Sequence, residues 1–144
     1  MNVSLRPARA EDAPVLADLL RQLGYADAGA FIGQRLAGLL EHPDALLHVA
    51  EAQGTVLGFI SLHFIAQIAL AGDFCRISYL CVDARARGAG IGARLEEFAQ
   101  AQARLRGCDR IELHSHSRRV DAHRFYARQG YSESPKYLVK KLAA

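Results

Sequence analysis

The sequence predicts a single domain of the α/β class, residues 1–144, with a mixed β-sheet and helices on both of its faces. Two observations predict this fold. Strand patterns joined by short turns come first, and two strand–helix crossovers follow them. Strands that a short turn joins pair antiparallel, and strands that a helical crossover joins pair parallel. The sheet is therefore expected to contain both kinds of strand pair. A chain of 144 residues is long enough to bury a core.

The N-terminal part predicts one strand and two helices. The short strand Val3–Arg6 ends at Pro7. Asp12 can cap a first helix, whose apolar residues recur at helical spacing and which ends at Gly24. A second amphipathic pattern ends before Pro43.

The middle of the chain predicts three strands. A strand over Leu46–Glu51 is followed by a hairpin turn at Gln53-Gly54. Thr55–Ala66 is a long strand rich in β-branched and aromatic residues, and Phe74–Val82 is another.

The C-terminal part alternates helices and strands. An apolar stripe that begins at Ile91 predicts a helix that stops at Gly107, and Arg110–His114 is a strand. Asp121 can cap a short helix through Gln129, and Tyr137–Lys141 is a final strand. The predicted order is β-α-α-β-β-β-α-β-α-β.

Composition excludes several classes of protein. A net charge of +3 is too small to favour nucleic-acid binding. The cysteines Cys75, Cys81 and Cys108 are odd in number and form no Cys-x-x-Cys, which argues against disulfides or a zinc site and favours a cytoplasmic location. No signal peptide or membrane span is predicted, since the longest apolar stretch falls short of the ~20 residues a span needs.

Three glycines between a strand and a helix are the most informative feature of the sequence. Gly88, Gly90 and Gly92 follow the predicted strand Phe74–Val82 and precede the helical stripe. Glycine lets backbone N–H groups turn toward a ligand, and a helix N-terminus adds unpaired donors with partial positive charge. This combination predicts a seat for a phosphate or pyrophosphate.

Two common phosphate loops fit the sequence poorly. A Walker loop ends in Gly-Lys-Ser/Thr, whereas Ala93 and Arg94 follow Gly92. A dinucleotide fingerprint is matched in spacing by Gly88, Gly90 and Ala93, with Glu112 about 20 residues further on. That fingerprint should follow a strand directly, but residues 84–87 intervene, and too few residues remain for a dinucleotide fold.

A third pattern accounts for more of the chain. Arg87–Gly92 resembles the R/Q-x-x-G-x-G/A motif of the GNAT superfamily of acetyl-CoA-dependent N-acetyltransferases, and Tyr79–Asp83 resembles the strand that leads into it. Ala122–Tyr131 resembles the second family signature, A-x-x-(F/L)-Y-x-x-x-G-(F/Y). The order of elements also agrees, so the resemblance covers the whole chain. It implies a mixed sheet of six to seven strands flanked by about four helices.

The resemblance implies which residues bind acetyl-CoA, the co-substrate. The loop amides would hold the pyrophosphate, the backbone of Leu80 and Val82 would pair with the pantetheine arm, and Arg87 would add positive charge. Arg85 is either a second such charge or solvated surface, and Arg119 would reach either a coenzyme phosphate or the acceptor. The implied coenzyme-binding residues are Leu80, Cys81, Val82, Arg87, Gly88, Ala89, Gly90, Ile91, Gly92, Ala93, Arg119 and Phe125.

The resemblance also implies catalytic roles. Tyr126 would protonate the leaving thiolate, because a phenol with a pKa near ~10 stays protonated at neutral pH; otherwise it is a core aromatic. Many relatives have a glutamate base where this chain has Ser78 and Tyr79. Glu112, His114 and His116 have the same parity on the next strand, so they share a face while the strand lasts. Glu112 and His114 are the candidates for a base, and the pKa of a histidine suits this role. The alternatives are deprotonation through a water chain, or a polar strand end without a catalytic role.

The acceptor is predicted only by class, as an amine of a small molecule. The C-terminal half, with Glu112-Leu113 and Asp121–Tyr126, is similar to aminoalkylphosphonate N-acetyltransferases. His114, His116, Arg118 and Arg119 are therefore candidates to bind an anionic acceptor. The alternatives are a protein or peptide amine, a non-catalytic acyl-CoA-binding module or a nicotinamide-binding protein. No metal, nucleic acid or membrane is expected as a partner, and a homodimer is considered because family members often dimerise.

Overall fold

A computed structural model describes residues 2–115, 119–134 and 137–142 of the chain. The chain divides into two compact units, a first unit over Met1–Leu113 and a second over His114–Ala144. The first unit holds the sheet and three helices, and the second holds one further helix.

The described residues form five strands and four α-helices. They are β1 (Ser4–Pro7), α1 (Ala13–Leu23), α2 (Ile32–Glu41), β2 (Ala45–Ala52), β3 (Thr55–Ile65), β4 (Phe74–Val82), α3 (Ile91–Leu105), β5 (Arg110–Leu113) and α4 (Val120–Arg128). Single 3-10 turns lie at Ala10–Asp12, Ala28–Ala30 and Ala84–Ala86.

The sheet has the strand order β1-β2-β3-β4-β5 and is mixed, as predicted. The first four strands pair antiparallel, and β5 pairs parallel with β4 after the crossover through α3. The tight turn between β2 and β3 places Gln53 and Gly54 at φ 52° and 79°, the left-handed backbone that a two-residue hairpin requires.

Helices cover both faces of the sheet within the first unit. Phe59 of β3 and Cys81 of β4 belong to the core that packs against α1 and α2, together with Leu16 and Leu36. The neighbouring residue Gly58 points to the opposite face, where side chains of α3 lie. Side chains alternate between faces along a strand, so this assignment extends to the residues of β3 that follow Phe59.

Gly58 allows α3 to pack closely on the sheet. A Cβ at this position would lie 2.8 Å from the carbonyl oxygen of Cys81 and 3.3 Å from Ile91 Cγ2. We expect Gly58→Ala to lower the free energy of unfolding by about 2 kcal/mol and Tm by about 5 °C, because the β4 backbone must shift. Thermal unfolding followed by circular dichroism measures this. Gly38→Ala is the control, since a Cβ there meets no atom within 4 Å; equal Tm values for the two variants would contradict the prediction.

Asp12 does not cap α1 with its side chain, although it stands at the N-cap position. Its buried carboxylate accepts two hydrogen bonds of 2.9 Å from the guanidinium of Arg6 and one of 2.8 Å from the backbone N–H of Arg9. The bonds from Arg6, the largest cause, hold the pKa of Asp12 below its ordinary value. Arg6 also donates to Glu51, so one cation joins β1, β2 and the start of α1.

Two further predictions about the elements are wrong. The segment Tyr137–Lys141 is irregular, so the described residues contain five strands and not six or seven. Its alternating apolar residues have the composition of a strand, but a strand forms only where a backbone partner pairs with it. Asp121 lies inside the first turn of α4 and is not its cap, because the helix starts one residue earlier, at Val120.

Candidate active site

The predicted phosphate loop forms a tight turn at the start of α3. Gly88 and Gly90 have φ values of 87° and 81°, and Gly90 is the residue that precedes the helix. The first bond of the helical ladder runs from the N–H of Arg94 to the carbonyl of Gly90. The N–H groups of Ile91 and Gly92 stand before that bond and point along the helix axis, the arrangement that binds phosphate oxygens.

The backbone of Leu80 and Val82 faces away from β3. The N–H of Asp83 bonds to the carbonyl of Leu57 on β3, at 2.8 Å. Backbone groups alternate sides along a strand. The N–H and C=O groups of Leu80 and Val82 therefore point to the other edge of β4, on the side of β5.

β5 leaves that edge of β4 uncovered within the first unit. The parallel pairing runs only from Phe74 to Ile77 of β4, and Ile77 is opposite Leu113, the last residue of β5. Between Ser78 and Val82 the first unit therefore has an unpaired strand edge that leads directly to the glycine turn. An extended, amide-bearing arm can add to such an edge as a further strand.

Cys81 does not take part in this edge. It is opposite Phe59 in the ladder, so its backbone groups face β3, and its side chain is 4% exposed in the core. This placement does not support the predicted contact between Cys81 and the coenzyme, which stays a prediction, because the sequence does not show which residues of a strand face which edge.

The two arginines before the glycines differ. Arg85 donates to the buried carboxylate of Asp83 through its backbone N–H, Nε and Nη2, at 2.9–3.1 Å. These hydrogen bonds lower the pKa of Asp83 to about 2. Arg85 thus has a structural partner, whereas Arg87 is exposed beside the glycine turn. The side chain of Gln22 accepts a hydrogen bond from the N–H of Ala84, which ties the end of α1 to this turn.

Glu112 is half-buried in β5, where it is opposite Arg76 of β4. It shares a face of the sheet with Arg76 and with His63 of β3, which is opposite Arg76 on the other side. That face is the one covered by α1 and α2, since His63 has the same parity as Phe59.

His114 lies beyond the strand that was predicted to hold it. β5 ends at Leu113, so strand alternation assigns no face to His114. The exposed ring of His114 stacks on Tyr137 at a centroid distance of 4.2 Å, within the second unit. His116 and Arg118 lie outside the described residues.

The second family motif forms α4 and the turn after it. Tyr126 is half-buried, and its ring meets those of Phe125 and Tyr131 edge-on at centroid distances of 5.1 and 5.5 Å. Gly130 has a φ of 95°, and the N–H of Tyr131 bonds back to the carbonyl of Tyr126. This bond fixes the backbone of Tyr126 in the last turn of the helix. Arg119, which precedes α4, is exposed.

Two contacts between β4 and its surroundings were not predicted. Tyr25, in the connection from α1 to α2, packs edge-on against Tyr79 at a centroid distance of 5.5 Å. The Nδ1 of His63 lies 3.0 Å from Oγ of Ser78. Only the polar side chain of His63 inside an otherwise apolar strand pattern could have drawn attention to this second contact.

The comparisons with known proteins identify the family. The model of the Acetyltransferase (GNAT) family matches residues 14–131. The chain belongs to this family. It is an N-acetyltransferase that transfers an acetyl group to an amine, and acetyl-CoA is the acetyl donor of GNAT enzymes. The described residues contain no group of three His, Cys, Asp or Glu side chains that could hold a metal ion.

Individual relatives agree with this GNAT assignment. An aminoalkylphosphonate N-acetyltransferase of Salmonella typhimurium is 36% identical over 140 residues, which cover 96% of this chain and 90% of that protein. A crystal structure of a transcriptional regulator from Bacillus halodurans superimposes with a TM-score of 0.90 at 23% identity, covering 98% of this chain and all of that one. Glucosamine-6-phosphate N-acetyltransferase from Arabidopsis thaliana has a TM-score of 0.84 at 21% identity, covering 99% and 100%. These two structures share the fold.

No helix among the described residues of the GNAT chain is both long and apolar enough to cross a membrane.

Proposed function

We propose that this GNAT chain acetylates a small primary amine by direct attack on acetyl-CoA in a ternary complex. The unpaired edge of β4 from Ser78 to Val82, which leads into the glycine turn, is the observation that supports the coenzyme site most directly. The pantetheine arm pairs with Leu80 and Val82, and the N–H groups that start α3 bind the pyrophosphate. Arg87 adds positive charge at the turn.

The chemistry needs an acid for the leaving group. In the proposed reaction the amine nitrogen attacks the thioester carbon, and a backbone N–H of β4 near Leu80 stabilises the oxyanion. The C–S bond then breaks, and the hydroxyl of Tyr126 protonates the thiolate of coenzyme A. The proposed role of Tyr126 as the acid is supported by its place in the motif. The backbone bond from Tyr131 to Tyr126 fixes the end of α4, where this residue lies.

We propose an aminoalkylphosphonate as the acceptor. The 36% identity with the Salmonella aminoalkylphosphonate N-acetyltransferase extends over 96% of the chain, which supports a shared substrate class. Arg119 and His114 are exposed polar residues of the second unit that suit an anionic group. Arginine binds phosphonate oxygens through paired, charge-assisted hydrogen bonds.

A comparison of acceptors tests the proposal. We expect kcat/KM to be about 100-fold higher for an aminoalkylphosphonate than for the alkylamine of the same length without the phosphonate, because hydrogen bonds to a charged group contribute about 1.5–3 kcal/mol each. The release of coenzyme A, measured with a thiol reagent, gives both values. Equal kcat/KM values would contradict the proposed acceptor, and tight binding of acetyl-CoA without turnover of any amine would contradict the proposed reaction.

A variant separates recognition of the phosphonate from the acetyl transfer step. Arg119→Ala should raise KM for the aminoalkylphosphonate about 10-fold and leave KM for the plain alkylamine unchanged. Arg110→Ala is the matched control, because this exposed arginine donates to the neighbouring Asp109 and lies outside both motifs. If Arg119→Ala raises the Kd for acetyl-CoA instead, Arg119 contacts the coenzyme, the other role open to it.

A further inference from the structure

The side chains of His63 and Ser78 are in contact at the point where the pairing of β4 with β5 ends. Nδ1 of His63 on β3 lies 3.0 Å from Oγ of Ser78 on β4, although the two residues are 15 positions apart in the chain. Both side chains are half-buried, on the face of the sheet that α1 and α2 cover. Neither residue belongs to the two motifs that define the family in this chain.

A β-bulge produces this contact. Ser61 is opposite Tyr79 and Leu62 is opposite Ile77, so Ser78 is an extra residue on β4 with no partner across the ladder. A bulge re-aims a side chain out of the regular alternation. Here it directs the hydroxyl of Ser78 onto the ring of His63.

Ser78 also stands at the branch point of the sheet. β5 pairs with β4 only as far as Ile77. Ser78 is therefore the first residue of the unpaired edge to which we assign the pantetheine arm. Tyr79, the next residue, contacts Tyr25 of the α1–α2 connection. Ser78 is therefore the residue that links the last pair between β4 and β5 to Tyr79, which contacts the α1–α2 connection.

The groups around His63 favour its neutral form. His42, in the segment after α2, lies with its ring centroid 6.0 Å from that of His63. The cation Arg76 is opposite His63 on β4, and its partner on β2 is the uncharged Ala45. The carboxylate of Glu112 is on the same face but one strand further away, opposite Arg76 on β5. Burial first, and then His42 and Arg76, lower the pKa of His63. The ring is accordingly uncharged at neutral pH and can accept a proton.

We propose that Ser78 and His63 form the proton relay that deprotonates the acceptor amine. This inference rests on the proposed acetyl transfer and names the base that it needs. A proton of the bound ammonium moves to Oγ of Ser78, while the hydroxyl proton of Ser78 moves to Nδ1 of His63. The neutral nitrogen then attacks the thioester carbon.

The proton balance of the reaction closes. The ammonium nitrogen loses two protons on its way to the amide. One passes through Ser78 to His63 and then to water, which accounts for the proton released per turnover. The second replaces the proton that Tyr126 gives to the leaving thiolate. Ser78 is the residue that touches the substrate, and His63 acts through it.

Two variants and their pH profiles test the relay. With His63→Gln we expect kcat/KM at pH 7 to fall about 100-fold. The defect should shrink as the pH approaches the pKa of the free amine, near ~10, where the substrate no longer needs a base. In wild type, protonation of His63 blocks the relay and gives the profile an acid limb. This limb lies below pH ~6.5, because the pKa of His63 is lowered. It should disappear in His63→Gln.

Matched variants exclude a purely structural role. Ser78→Ala should show the same pH-dependent loss, whereas Ser78→Thr, which keeps a hydroxyl, should retain most of the activity. His42→Gln is the control histidine, because its ring contacts His63 but does not bond to Ser78. It should keep the activity at pH 8, while the acid limb moves to higher pH, since His42 lowers the pKa of His63. A loss that is equal at every pH, or a wild-type profile in both His63→Gln and Ser78→Ala, would overturn the relay.

The same measurements distinguish failure of the relay from failure of the proposed function. Binding of acetyl-CoA by calorimetry should be unchanged in all four variants. If wild-type protein acetylates no amine, the proposed reaction fails. If wild type turns over and both His63→Gln and Ser78→Ala follow its pH profile, only the relay fails.

Discussion

Replacement of Tyr126 by Phe is expected to lower kcat for acetyl transfer by at least about 100-fold, with little change in the Kd for acetyl-CoA. The phenol is the proposed acid for the leaving thiolate, and Phe removes that one proton while it keeps the ring. Phe keeps the ring that packs edge-on against Phe125 and Tyr131, so this packing should survive.

Steady-state kinetics with thiol detection measures this loss, and calorimetry measures the affinity for acetyl-CoA. Tyr131→Phe is the matched control, because its ring lies 5.5 Å from that of Tyr126 but it occupies the last position of the motif. A kcat for Tyr126→Phe within twofold of wild type would show that Tyr126 is only a packing residue.

Gly90→Ala is expected to raise the Kd for acetyl-CoA about 100-fold. The backbone at Gly90 has a φ of 81°, which costs a residue with a side chain about 1–2 kcal/mol. The turn can relieve this strain by leaving the left-handed region, and its N–H groups then no longer point at the pyrophosphate. Each charge-assisted hydrogen bond lost in this way contributes about 1.5–3 kcal/mol.

Calorimetric titration with acetyl-CoA measures the change. Gly38→Ala is the control here as well, since its backbone is helical and the added methyl group meets no atom within 4 Å. A Cβ at Gly90 also meets no atom within 4 Å, so a steric clash inside the protein does not explain a loss. An unchanged Kd would show that the turn does not hold the pyrophosphate.

The glycine turn that we propose as the coenzyme site is largely predictable from the sequence. The positive φ values of Gly88 and Gly90 and the start of α3 depend on residues that are neighbours in the chain. The predicted hairpin turn at Gln53-Gly54 is confirmed for the same reason. The predicted cap at Asp12 is wrong because Arg6, on β1, holds that carboxylate instead.

The contact between His63 and Ser78, which we propose as the base, could not be predicted. His63 and Ser78 meet only because β3 and β4 pair in one register and β4 holds an extra residue at the bulge. A shift by one residue would send His63 to the other face of the sheet. Strand alternation also grouped Glu112 with His114, but β5 ends between them, at Leu113.

The sequence by itself determined the family, the order of the elements from β1 to α4 and the place of the glycine turn, because motifs, helix stops and left-handed turns depend on short stretches of chain. Only the tertiary structure decided how far β5 follows β4, which edge Leu80 and Val82 face, that Cys81 is in the core and that Tyr137–Lys141 is not a strand. Those features depend on hydrogen bonds between distant segments, whose register and length no local pattern encodes.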